Sequence, residues 1–132
     1  MNVMKLKKFL LIALSIVLLL IAAYEIAPGF MKNPGVFPAD YRVSDDGSSM
    51  ETDISVMSSI GYVRRAETTR QPDGTLNVDF YYAFGGINGS IGAKSTYTLP
   101  IYDDTTSIAF YCGDGYRTVL VKNADTGDWE RA

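Results

Sequence analysis

Few residues in this chain could do chemistry, and the sharpest candidate sits in the octet FYCGDGYR, residues 110–117. Cys112 is the one cysteine among 132 residues, and the chain contains no histidine. A catalytic thiolate needs a general base or a positive neighbour to hold its charge. The nearest charge in sequence is Asp114, which has the wrong sign. In SIAFYCG, Ile108, Phe110 and Cys112 share one phase of a two-residue alternation. Cys112 is therefore expected as an apolar plug on the core side of a strand.

The same accounting removes most other chemistry. A serine nucleophile would have to use lysine as its base, and Lys94 and Lys122 both fall in the outward phase of their segments. One cysteine without histidine cannot furnish a closed zinc site. The paired carboxylates are Asp45-Asp46, Asp103-Asp104 and Asp125 with Asp128, each among turn-forming residues. Adjacent residues on a strand point to opposite faces, so such pairs do not face one cleft. NADTGD lacks the glycine and the distal glutamate of a calcium loop and reads as a hairpin turn. No catalytic residue, metal or cofactor is expected.

The aromatic side chains are what remains. Eight of the nine tyrosines lie beyond residue 28. Tyr81 and Tyr111 occupy the outward phase of their strands, and Trp129 follows the last turn, close enough to fold back over the sheet. Rigid aromatics beside carboxylates and amides make a surface for a protein or a glycan. Tyr81, Tyr111 and Trp129 are the expected ligand-binding cluster. It requires the strands 75–84 and 107–112 to share a sheet. The competing reading is that these rings form ordinary cross-strand pairs.

The elements that must hold them read as strands. TLNVDFYYAF, 75–84, puts Leu76, Val78, Phe80, Tyr82 and Phe84 on one side, with Thr75, Asn77 and Asp79 opposite. IGAKSTYTLPI, 91–101, aligns Ile91, Ala93, Tyr97 and Leu99. A weaker strand starts at Ile54 and Val56 and runs past Gly61 toward Ala66, and TVLVKN and DTGDWE flank a final turn. Asx-Gly and Thr-Gly pairs separate these runs. The expected fold is all-β: a small antiparallel sandwich or barrel of six or seven strands over 51–132, immunoglobulin-like by analogy.

Upstream, 28–50 carries Pro28, Pro34, Pro38 and the polar run Ser44 to Ser49, and is expected as an extended tether. Before it, Lys5, Lys7 and Lys8 close a basic segment, 1–8, and an apolar stretch fills 9–27 with Glu25 near its end. That layout fits a secretory signal or an uncleaved transmembrane anchor. Cleavage after Ala22, Ala23 or Ala27 would leave Leu20, Ile21 or Glu25 at the −3 position, none of them small. Either way, the lysines keep the N-terminus cytoplasmic and send the rest outside.

Beyond residue 28 the chain carries 14 acidic and 9 basic side chains, a net charge of −5. No nucleic-acid partner is expected from so acidic a segment. The expected partners are the membrane, through the N-terminal helix, and an envelope protein or a glycan. Two functions fit. One is a membrane-tethered extracytoplasmic β domain, not an enzyme, that binds a partner at the cell envelope. The other is a secreted carbohydrate- or cell-wall-binding module, released by signal cleavage.

Overall fold

The computed structural model describes residues 2–57, 61–86 and 88–132. Helix α1, Val3–Ile26, opens the chain, and its 24 residues rise about 36 Å at 1.5 Å each. Asn2 caps it by accepting the Lys5 N–H at 2.8 Å. Within the apolar stretch Ser15 donates its hydroxyl to the Leu11 carbonyl at 2.9 Å, which pairs that polar group inside the helix. None of its residues is buried by the rest of the chain. With a mean hydropathy of 2.6, the helix is long and apolar enough to cross a membrane, as a signal sequence also would be.

Among the described residues, eight strands follow in two sheets. They are β1 (Val36–Val43), β2 (Ser49–Val56), β3 (Val63–Arg70), β4 (Thr75–Tyr82), β5 (Thr96–Pro100), β6 (Ser107–Tyr111), β7 (Tyr116–Lys122) and β8 (Trp129–Arg131). The smaller sheet has the order β1-β2-β5 and the larger β3-β4-β6-β7-β8. Both bury one face in a shared core. Val36, Met50, Ile54, Tyr97 and Leu99 come from the smaller sheet; Leu76, Val78, Phe80, Ile108, Phe110 and Leu120 come from the larger. Phe80 stacks edge-on against Tyr97 (5.4 Å between centroids) and Phe110 (4.8 Å), which locks the sheets together.

The periodicity of 75–82 and 107–111 holds on the core side, but several expectations need correction. Not every strand pair is antiparallel: β4 and β6 run parallel, with Leu76 opposite Ile108 and Val78 opposite Phe110. Parallel neighbours need a crossover, and here the chain supplies β5 to the other sheet before returning.

The stretch 54–66 is not one strand. β2 ends at Val56 in one sheet and β3 begins at Val63 in the other, and 58–60 of that expected strand lie outside the described residues. The strand expected over 91–101 is confined to Thr96–Pro100 and leaves Ile91 and Ala93 exposed.

Nor is 28–50 a tether. β1 and the start of β2 lie within it, pairing from Val36 with Val56 to Val43 with Met50. Pro38 is tolerated because β1 is an edge strand, with an irregular register between Pro38 and Asp40.

Gly74 shows why one turn is glycine. Its φ is +89°, and a Cβ there would fall 2.6 Å from the Asp104 carbonyl oxygen. The sheets meet along two seams. On one, Arg131 donates to the carbonyls of Pro38 (2.6 Å) and Ala39 (2.7 Å), joining β8 to β1. On the other, between the edges of β3 and β5, a groove of about 370 Å³ stays open, lined by Arg64, Arg65, Lys94 and Tyr97.

Candidate functional site

The larger sheet turns its outer face toward solvent. On β4 the residues between core positions are Thr75, Asn77, Asp79 and Tyr81; on β6 they are Ser107, Ala109 and Tyr111. Because β4 and β6 are neighbours, Tyr81 and Tyr111 lie in one sheet and on one face. Neither ring is buried.

Asp79 is the centre of this face. It is only 7% exposed, although it points away from the core. Its Oδ1 accepts the Tyr116 hydroxyl at 2.7 Å and lies 3.5 Å from the Lys32 ammonium. Lys32 also stands 5.2 Å from the centre of the Tyr111 ring, and Tyr111 packs edge-on against Tyr116 at 5.9 Å. The main chain puts Lys32 there, because residues 31–33 pair with β4 above the point where β6 ends. Lys32 bridges to Tyr81, the Tyr82 N–H donates to Met31 (3.0 Å), and the Asn33 N–H donates to Phe80 (2.7 Å).

Tyr81 borders the cluster on the β3 side. The Arg65 guanidinium lies 4.4 Å over its ring, and its hydroxyl donates to Glu67 Oε2 at 3.1 Å. Arg65 and Glu67 also pair at 2.9 Å.

The electrostatics keep the proton donors protonated. The Asp79 carboxylate raises the pKa of Lys32, against a smaller opposing effect of desolvation. Its hydrogen bond raises that of Tyr116. Burial, followed by Glu67, raises that of Tyr81. At neutral pH the face therefore presents the Lys32 ammonium and the neutral phenols of Tyr81 and Tyr116. Aromatic rings beside fixed charges are the side-chain types enriched at binding hot spots.

Trp129 does not join it. The ring is 8% exposed and belongs to the core, where β8 packs it against the smaller sheet, and the Tyr41 hydroxyl donates to the Trp129 carbonyl at 2.9 Å. A large apolar ring at the start of an edge strand gains more from the core than from solvent.

Cys112 is also displaced from expectation. β6 ends at Tyr111, so the alternation does not carry Cys112 into the core. The residue is half-buried in the turn, with its thiol 3.4 Å from the Gly115 carbonyl and 3.7 Å from Asp114 Oδ1.

The carboxylate pairs sit in turns. Asp46 accepts from Ser44 and from the Ser48 hydroxyl and N–H, and those bonds bring its pKa down to about 2. Asp104 pairs with Arg70 at 2.8 Å, and the Asn123 side chain holds the N–H groups of Asp125 and Thr126. Among the described residues no group of three or more potential metal ligands comes together.

Sequence reasoning did not find Lys32, Asp79 or Tyr116 as site residues. Tyr116 was within reach, since a four-residue turn after Tyr111 makes the two a cross-strand pair, as observed. Lys32 was hidden in the supposed tether.

A cleft of about 410 Å³ lined by Ile54, Tyr62, Val63 and Lys94 lies at the open seam, away from Asp79 and Tyr111. It is mostly apolar and gathers no carboxylate. No protein-family model matches the chain, and no curated protein and no solved structure shows significant similarity to it.

Proposed function

We propose that this chain is a single-pass, membrane-anchored β-sandwich that acts by binding rather than catalysis, and offers the outer face of its larger sheet to a partner at the cell envelope. One observation carries the reading: Tyr81, Tyr111 and Tyr116 converge on one solvent-facing surface around the Lys32–Asp79 ion pair. Two sheets over one core support the sandwich. The parallel β4–β6 pair counts against immunoglobulin-like connectivity, whose sheets are antiparallel.

An uncleaved anchor is favoured over a cleaved signal by the helix end itself, and the N-terminal lysines favour an N-terminus inside with the sheets outside. The Gly85 N–H donates to the Glu25 carbonyl at 2.8 Å, and the Tyr24 ring packs where a side chain at Gly86 would be. Cleavage after Ala27 would strip both contacts from the domain.

The test is binding of the purified full-length protein to envelope material, comparing the natural sequence with Tyr81→Ser and Tyr111→Ser. Both changes should weaken binding several-fold with thermal unfolding nearly unaltered. Competition by soluble glycan would make the ligand a carbohydrate; protease treatment of the envelope abolishing binding would make it a protein. Undiminished binding by both variants would remove this face from consideration.

A further inference from the structure

The helix does not lead into a flexible linker; it is fastened to the domain at every step. The Ala27 N–H closes onto Ala23, and the Glu25 carbonyl accepts the Gly85 N–H. The Gly29 carbonyl accepts the Arg64 side chain at 3.0 Å, and the Met31 and Asn33 main chains join β4. Gly29 is buried against Phe84 so closely that a Cβ would lie 2.2 Å from the ring. The Arg64 guanidinium then covers Phe84 at 4.4 Å and Phe30 at 5.5 Å. Such a joint transmits orientation.

Around the joint, large apolar side chains stay in the open. Phe30 is 66% exposed, Ile91 62%, Tyr62 56% and Met31 54%. They are neighbours: Phe30 packs on Phe84 at 6.3 Å, Ile91 bridges to Phe84, and the Tyr62 carbonyl accepts the Ala83 N–H. The other described exposed apolar residues of the β domain, apart from Met57, are less exposed: Phe37 42%, Val43 40% and Tyr116 41%. An apolar patch gathered at one end of a small domain marks a surface that is covered in use.

The helix says what covers it. With Lys8 at one interface, the roughly 20 residues that span the hydrocarbon end at Pro28. Phe30 and Met31 then fall in the headgroup layer, and the joint places Tyr62 and Ile91 beside them. We infer that this end of the domain is seated in the bilayer interface, with Phe30, Met31, Tyr62 and Ile91 in contact with lipid, so that the tyrosine face stands at a fixed orientation directly above the membrane. Aromatic and aliphatic side chains partition favourably into this layer. Lys32, one residue beyond Met31, makes the tyrosine face continuous with the seated end.

This inference rests on the anchor reading, and the experiment separates the two. The full-length chain with Cys112→Ser, carrying Leu14→Cys, Ile91→Cys or Asp45→Cys, is labelled with an environment-sensitive fluorophore. It is then reconstituted in phosphatidylcholine vesicles containing lipids with quenchers at defined depths. Asp45 lies in the turn between β1 and β2, eight strand residues from the joint. The label at Leu14 should be quenched most by deep quenchers, that at Ile91 by shallow ones, and that at Asp45 by neither. If Leu14 is quenched but Ile91 behaves like Asp45, the domain stands off the membrane and the seating is wrong while the anchor survives. If Leu14 is not quenched, both fail.

Discussion

The Tyr116 hydroxyl reaches Oδ1 of Asp79 at 2.7 Å across strands that are not neighbours, because β6 lies between β4 and β7. The bond ties three strands on the side of the sheet away from the core, and it holds the carboxylate that positions Lys32. Tyr116→Phe should therefore cost stability. Hydrogen bonds to charged groups contribute about 1.5–3 kcal/mol, and the exposure of Tyr116 reduces this to about 1 kcal/mol. A double-mutant cycle in chemical denaturation, pairing Tyr116→Phe with Asp79→Asn, should return a coupling of that order. Strict additivity would mean that water replaces the bond without loss.

Tyr97 carries the pH prediction. Burial pushes its phenol from 10.0 up to about 12, and among the described residues its hydroxyl finds no hydrogen-bond partner. The folded pKa lies above the unfolded one, so the folded state holds the proton more tightly. That stability is complete below about pH 10 and is lost as pH rises toward 12. At about 1.4 kcal/mol per pH unit, the loss is on the order of 2–3 kcal/mol. Tyr97→Phe removes the unpaired hydroxyl, so it should be neutral or stabilise by up to about 1 kcal/mol and flatten the alkaline decline. Denaturant midpoints between pH 8 and 11 test this, and an unchanged decline in the variant assigns it elsewhere.

Trp129 is the chain's one tryptophan and reports on its own burial. Its emission should be blue-shifted and resist iodide until the protein unfolds. Trp129→Ala should cost about 3–5 kcal/mol, as large aromatic truncations in cores do. Water-like emission from the native state would return Trp129 to the surface.

Cys112 in its turn should tolerate change. Cys112→Ser keeps a donor for the Gly115 carbonyl and leaves no large cavity, so the cost should stay below about 1 kcal/mol. A larger loss in thermal unfolding would restore the core plug that alternation suggested.

What could be read from sequence was whatever a strand's two-residue period fixes locally. Leu76, Val78 and Phe80, and Ile108 with Phe110, were in phase and are buried, and Tyr81 and Tyr111 fell outward on one sheet. What could not be read depended on partners distant in sequence. β1 buries little beyond Val36 and Pro38, so Val36–Val43 shows no alternation and passes for a linker. The role of Lys32 follows from a main-chain bridge to Tyr81, and the burial of Asp79 from a phenol two strands away. Trp129 looked like a surface ring because nothing local says that β8 closes over the core.

The most direct test of the account is site-specific photo-crosslinking in the native membrane, with a photoreactive phenylalanine at Tyr81, at Tyr111 or at Thr98. Thr98 is exposed on β5 between the core residues Tyr97 and Leu99, so it reports the outer face of the other sheet. Positions 81 and 111 should capture the same discrete adduct while 98 captures none. An adduct at 98 as strong as at 81, or no adduct at 81 and 111, would contradict a binding surface on the larger sheet.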